Sequence, residues 1–158
     1  MADKHRKKEI VLASGEFDLL HLGHVKFLEE AKKIGGKDAE LLVIVARDST
    51  VEETKGRKPI MSENQRLALV ESLKVVDEAV LGFEKFDIGD VIERVKPDVI
   101  ALGYDQVDME QRVRKYVNNH KINVKVVRIG KFEARAAASL LKSELADKYS
   151  VQAWVDVL

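Results

Sequence analysis

Ser14-Gly15-Glu16-Phe17-Asp18-Leu19-Leu20-His21-Leu22-Gly23-His24 is the stretch on which the reading of this chain turns. The apolar run Ile10-Val11-Leu12-Ala13 leads into it, and residues 25–34, with apolar positions at helical spacing, lead out. A buried strand therefore turns into a helix here, with two histidines and a glycine at the junction. The first backbone N–H groups of a helix have no partner within it, and the helix dipole favours negative charge at that end. Imidazoles at such a point suit a phosphate whose charge changes during a reaction.

On either side of this junction, apolar runs alternate with helix-period segments. Residues 9–13 read as a buried strand. Val25, Leu28 and Ala31, with Phe27 and Ile34 beside them, share one side of a helix that Gly35-Gly36 ends. Leu41-Leu42-Val43-Ile44-Val45-Ala46 is apolar throughout, the pattern of a strand covered on both faces. Residues 47–59 are polar and rich in charge and read as a loop. Ser62-Glu63-Asn64-Gln65 is a capping-box pattern, and Leu67, Val70 and Leu73 continue it at helical spacing. Ala79-Val80-Leu81-Gly82 and Val99-Ile100-Ala101-Leu102-Gly103 read as strands. The helix between them carries Ile88, Val91, Ile92 and Val95 and breaks at Lys96-Pro97-Asp98. A polar surface helix over 108–119, a strand over 124–129 and a helix over 136–148 complete the pattern.

Five strands alternating with helices predict the α/β class: a single Rossmann-like domain whose five-stranded, mostly parallel sheet is flanked by helices. The expected organisation is a basic tail over 1–8, the domain over 9–149, and a C-terminal segment over 150–158. Val151, Trp154 and Leu158 are spaced in that segment to pack on the domain or on a dimer partner. In such sheets, ligands bind beyond the carboxyl ends of the strands where strand order reverses. Residues 14–24, residues 47–58 and Tyr104-Asp105-Gln106 each follow a strand directly, so they converge on that one edge.

Composition narrows the function classes. The chain has 158 residues, a length that suits one domain, and 46% of them are hydrophobic. Formal net charge is +0, which removes the global basic field expected of a nucleic-acid binder. No apolar run approaches the roughly 20 residues needed to span a membrane. There are no cysteines, so disulfides and thiol chemistry are excluded. The basic N-terminus lacks the apolar segment of a signal peptide and reads as a solvated tail, so a cytoplasmic location is expected.

His21 and His24 lie at i and i+3 across a helix start. Each alone reads as a structural histidine. A zinc pair is set aside, because no cysteine exists and no third ligand is near in sequence. Together, at a strand-to-helix junction, they favour phosphate contact, with Gly23 letting backbone approach a ligand closely. Other nucleotide signatures are missing. There is no G-x-G-x-x-G after the first strand and no G-x-x-x-x-G-K-[ST], since Lys37 after Gly35-Gly36 is followed by Asp38. There is no G-x-S-x-G setting for a serine nucleophile either.

The motif from Phe17 to His24 resembles the HxGH signature of the nucleotidyltransferase superfamily. Arg47-Asp48-Ser49-Thr50-Val51, Lys55-Gly56-Arg57-Lys58-Pro59-Ile60, Gln65-Arg66 and Ala101-Leu102-Gly103-Tyr104-Asp105-Gln106 resemble its cytidylyltransferase-related branch, and within that the archaeal FAD synthases. The resemblance runs from about residue 9 to 130. It implies transfer of an adenylyl group from ATP to the phosphate of FMN, with release of pyrophosphate. His21 and His24 would be the catalytic pair that holds the triphosphate. Glu16, Phe17, Leu22, Gly23 and Asp105 would complete the nucleotide site. Asp105 would contact the sugar or base edge, although a turn-forming aspartate is an equal reading. Lys55, Arg57 and Lys58 would contact phosphates rather than serve only as surface charge. Arg66 would tie either to Asp48 or to a phosphate. Asp18 is expected to fix its turn rather than act as a base. A divalent cation, magnesium by expectation, would be held by phosphate oxygens and not by protein side chains. A homodimer is reasonable by the same resemblance.

Two positions depart from the family pattern. Glu16 stands where the family usually has threonine or serine; an ionised carboxylate there must turn away from a triphosphate or help hold a cation. Relatives open the last helix with a Ser/Thr-rich segment. Here the matching stretch is Glu133-Ala134-Arg135-Ala136-Ala137-Ala138-Ser139, in which Ser139 alone keeps a phosphate-binding hydroxyl. Two alternatives follow: a cytidylyltransferase acting on a small phosphorylated alcohol, and a nucleotide-binding homologue without turnover.

Overall fold

The apolar runs pair side by side in the computed structural model, which describes residues 7–85 and 87–132. The expected helix over 136–148, the segment over 150–158, and Arg135 and Ser139 lie outside the described residues. The strands are β1 (Ile10–Gly15), β2 (Glu40–Val45), β3 (Glu78–Leu81), β4 (Val99–Leu102) and β5 (Lys125–Arg128). Their order in the sheet is β3-β2-β1-β4-β5, and every pairing is parallel.

β1 is central. It pairs with β2 from Ile10↔Glu40 to Gly15↔Val45 and with β4 from Val11↔Val99 to Ala13↔Ala101. Val11, Leu12 and Ala13 are buried because the sheet is covered on both faces. The chain winds from β1 outward through β2 to β3, then returns to the other side of β1 to lay down β4 and β5. Strand order therefore reverses between β1 and β4, and the crevice beyond their carboxyl ends is the ligand-binding place of such a sheet.

Alternating side chains divide the core in two. Val11, Ala13, Val43 and Val45 pack with Leu28 and Ala31 of α1 (Leu22–Ile34) and Val70 of α3 (Glu63–Glu71). On the opposite face, Leu12, Ile44, Ile100 and Leu102 pack with Val91 and Ile92 of α4 (Ile88–Val95) and Val113 and Val117 of α5 (Val107–His120).

Two local features refine the expectation from sequence. Helix α1 begins at Leu22, ahead of the apolar period that starts near residue 25, and the two histidines lie across its start as expected. Its end uses the two glycines differently. Gly36 takes the left-handed conformation (φ 91°), whereas a Cβ on Gly35 would lie 2.5 Å from Val11 Cγ2, so Gly35 serves close packing.

The stretch 47–59, expected as a loop, contains helix α2 (Asp48–Lys55). Only Val51 is buried in it, so no apolar period marks it. Asp48 in its first turn and Lys55 in its last complement the dipole, and Gly56 (φ 68°) ends it. The expected capping box opens α3: Gln65 N–H donates to Ser62 Oγ (3.4 Å) and Ser62 N–H donates to Gln65 Oε1 (3.3 Å).

Candidate active site

The turn from β1 to α1 places Phe17 and Leu19 in the left-handed region (φ 54° and 48°), an uncommon conformation for side chains of this size. Phe17 holds it because its ring is buried under Gly15 and beside His24, at a ring separation of 5.7 Å. Phe17, expected at the nucleotide, therefore puts its side chain in the core and supports the site from below. The side chain of Leu22 is exposed.

His21 is the N-cap of α1, and the two imidazoles form a reciprocal cap. Gly23 N–H donates to His21 Nδ1 (3.0 Å), and His21 N–H donates to His24 Nδ1 (3.1 Å). Two of the orphan donors near the helix start are thereby satisfied by imidazole nitrogens rather than by the usual oxygens. A ring nitrogen that accepts from a backbone N–H carries no proton, so each neutral ring carries its proton on Nε2. Neither Nε2 has a partner among the described residues, and no buried side-chain polar atom there lacks one, so both Nε2–H groups reach solvent. The ring centroids are 4.0 Å apart, tilted by 37°.

A Cβ on Gly23 would lie 2.7 Å from His21 Cε1 and 2.9 Å from its Nδ1. The glycine therefore makes room for the His21 ring over its own N–H. Burial pushes the His24 imidazole down to about 4, helped by the neighbouring charge of His21 and opposed by Asp105, Glu16 and Asp18. Burial lowers His21 as well. Both rings are thus neutral donors at pH 7, set side by side at a helix N-terminus.

Glu16 turns toward cations. Its carboxylate accepts from Lys55 Nζ, from Arg57 Nη1 (2.9 Å) and from Arg57 Nη2 (3.3 Å). The Glu16 side chain is 11% exposed, while those of Lys55 and Arg57 are 49% and 54% exposed. Burial alone would raise the Glu16 carboxyl; the hydrogen bonds and charges of Lys55 and Arg57 outweigh it and hold the group below the usual carboxylate range. Two of the three cations expected at phosphate, Lys55 and Arg57, thus sit beside the histidine turn with a carboxylate between them. Lys58 is exposed.

Arg66 is fully buried, and its guanidinium has three partners. Nε donates to Met61 O (3.0 Å), Nη1 to Glu16 O (2.6 Å) and Nη2 to Asp48 Oδ1 (2.7 Å). Of the two partners open to it from sequence, Asp48 is the one it holds, and the residue braces the site from within. Asp18 fixes more than its own turn: Ile60 N–H and Met61 N–H donate to its two carboxylate oxygens at 2.7 Å and 2.9 Å. The loop before α3 is thereby stitched to the β1–α1 turn.

Arg47 and Gln106, which the sequence singled out only as members of motif stretches, support the site. Arg47 Nε donates to Gly82 O (2.6 Å), and its Nη1 pairs with Glu63 (3.2 Å). Gln106 accepts from Gly103 N–H (2.7 Å) and donates to Ser14 O (3.3 Å), joining the carboxyl ends of β4 and β1. Asp105 beside it is exposed and close enough to His24 to raise its proton affinity. Among the described residues, no group of three His, Cys, Asp or Glu is arranged to hold a metal ion. A cleft of about 490 Å³ lies elsewhere, between Leu42, Ile44, Val80 and Phe83.

A profile of the family described as cytidylyltransferase-like matches residues 12–155. FAD synthase of Thermoplasma volcanium is 50% identical over 129 residues, covering 82% of this chain and 87% of that protein. FAD synthase of Aciduliprofundum boonei is 53% identical over 122 residues, 77% of this chain and 78% of that one. FAD synthase of Methanobrevibacter smithii is 50% identical over 119 residues, covering 75% and 77%. A solved structure described as the lipopolysaccharide core biosynthesis protein of Thermoplasma volcanium superposes with a TM-score of 0.71 at 50% identity, covering 79% of this chain and 98% of its own.

Proposed function

The chain belongs to the cytidylyltransferase-like family, and from that membership and the FAD synthases it is similar to, we propose that it transfers the adenylyl group of ATP to FMN. An FMN phosphate oxygen attacks the α-phosphorus of ATP, the bond from that phosphorus to the β-bridging oxygen breaks, and pyrophosphate leaves as FAD forms. The observation that carries this reading is the paired imidazole cap at the N-terminus of α1, set at the point where strand order reverses.

The chemistry asks for positioning and charge stabilisation rather than a covalent intermediate. His21 and His24 supply two Nε2–H donors, rigid because their Nδ1 atoms are tied to backbone, toward oxygens that gain charge in the transition state. The start of α1 adds its dipole. In this reading Lys55 and Arg57 take the charge that collects on the departing pyrophosphate, and Asp105 meets the nucleoside. The carboxylates of Glu16 and Asp18 are already bonded within the protein, which fits a divalent cation held by substrate phosphates. That cation, magnesium in our reading, would offset phosphate charge.

The test is incubation of the purified protein with FMN, ATP and magnesium, with chromatographic detection of FAD and measurement of pyrophosphate. A parallel reaction with CTP and glycerol phosphate addresses the family description. FAD formation upholds the proposal. A cytidylylated product without FAD replaces it with cytidylyl transfer. Tight ATP binding without product from either pair marks a binding protein.

A further inference from the structure

We infer that Glu16 is a built-in competitor for the phosphate-binding cations: its carboxylate pairs with Lys55 and Arg57 and is exchanged for the polyphosphate of substrate or product. The inference rests on the nucleotide site proposed above and adds a control on its affinity.

Three observations carry it. First, the Arg57 fork meets both Glu16 oxygens, at 2.9 Å and 3.3 Å, which is the bidentate geometry that guanidinium also offers to phosphate. The carboxylate takes the place that two phosphate oxygens would fill. Second, the two sides of the contact differ in freedom. The Glu16 backbone is clamped by the fully buried Arg66 through its carbonyl (2.6 Å) and is followed by the buried Phe17. Lys55 and Arg57 flank the left-handed Gly56 at the end of a short helix, with long side chains about half exposed. The cations have more freedom to swing to a ligand than the less exposed carboxylate has to follow. Third, Glu16 lies close enough to His24 for its charge to act on that imidazole. A polyphosphate received by the two histidines therefore lies within electrostatic range of the carboxylate that holds the cations.

The exchange runs downhill because a polyphosphate brings several negative charges against one carboxylate. It still loses two ion pairs and leaves Glu16 facing an anion. Net affinity for polyphosphate is therefore held below what the same cations would give without Glu16. The departing pyrophosphate meets the same competition, which keeps the product from lingering.

The test is isothermal titration with inorganic pyrophosphate and magnesium, comparing wild type with Glu16→Gln and Glu16→Thr. Both variants should bind pyrophosphate about fivefold more tightly, the effect of removing two partly exposed ion pairs from the competing side. Unchanged or weaker binding by a folded variant overturns the inference, because Glu16 then either does nothing at the site or helps hold the cations for the ligand. If neither variant folds, Glu16 is a structural brace and the inference fails as well. The titration needs neither flavin nor adenine. Wild type that makes FAD beside variants of unchanged pyrophosphate affinity sinks this inference alone. Tighter variants beside wild type that makes no FAD sink the proposed reaction alone.

Discussion

Replacing Gly23 by alanine should separate activity from stability. A Cβ at this position would lie 2.7 Å from His21 Cε1, about 0.7 Å short of an ordinary contact of 3.4 Å. The atom in its way belongs to a side chain, so the His21 ring moves while the backbone stays. That shift lengthens or breaks the 3.0 Å bond from residue 23 N–H to His21 Nδ1. Losing a cap bond costs about 1 kcal/mol. Exchanging glycine for alanine inside a helix returns about 0.8–1 kcal/mol. The two nearly cancel, so the melting temperature should stay within about 3 °C of wild type.

Turnover has no such compensation. A displacement approaching 1 Å of a group that touches the reacting phosphate costs on the order of 100-fold. The assay is FAD formation at saturating ATP and FMN alongside thermal unfolding. His21→Asn provides the comparison, since asparagine is a good N-cap and should keep the fold while losing the imidazole donor. A Gly23→Ala enzyme with wild-type turnover would refute the claim that the glycine exists to seat His21. A collapse of the melting temperature would refute the claim that the strain stays in one side chain.

Two further outcomes follow from the geometry. Arg66→Met should destabilise the fold by about 3 kcal/mol, because it leaves Asp48 and two backbone carbonyls without their buried partner; this reads as a fall of roughly 10 °C in thermal unfolding, and an unchanged melting point would sink the bracing role. For pH, burial holds His24 at about 4 in the folded chain, against 6.5 for a free imidazole. Between these values the unfolded chain takes up a proton that the folded chain refuses. His24 therefore costs no stability above about 6.5, and stability declines as pH falls toward about 4. Urea titrations across that window should show a steeper loss for wild type than for His24→Asn; parallel curves would contradict the burial-driven shift.

Much of the architecture was legible because runs such as Leu41 to Ala46 are apolar on both faces, which only a covered parallel strand requires. The Ser62–Gln65 box was legible because its donors and acceptors are four consecutive residues. Helix α2 was not, since one buried residue, Val51, leaves no period to read. The cap built from His21 and His24 escaped notice because capping patterns are written for hydroxyls and carboxylates. The cations that hold the Glu16 carboxylate, and the Arg66 guanidinium that holds its carbonyl, lie 39 to 50 positions away, where no local pattern reaches. Glu16 looked like a liability beside phosphate; its tertiary partners are the cations that the phosphate would want.

The stitches around the site also set when it comes into being. The imidazole cap spans positions 21 to 24 and closes with the first turn of α1. Asp18 meets Ile60 across 42 positions, and Arg66 meets the Glu16 carbonyl across 50. Loop closure over such separations is entropically costly, and contacts of that range form late in folding. A refolding chain should own an anion-receptive helix end before it owns the cation loop that completes the site. Stopped-flow refolding would show this as a lag of pyrophosphate binding behind the helical signal, and simultaneous recovery would deny it.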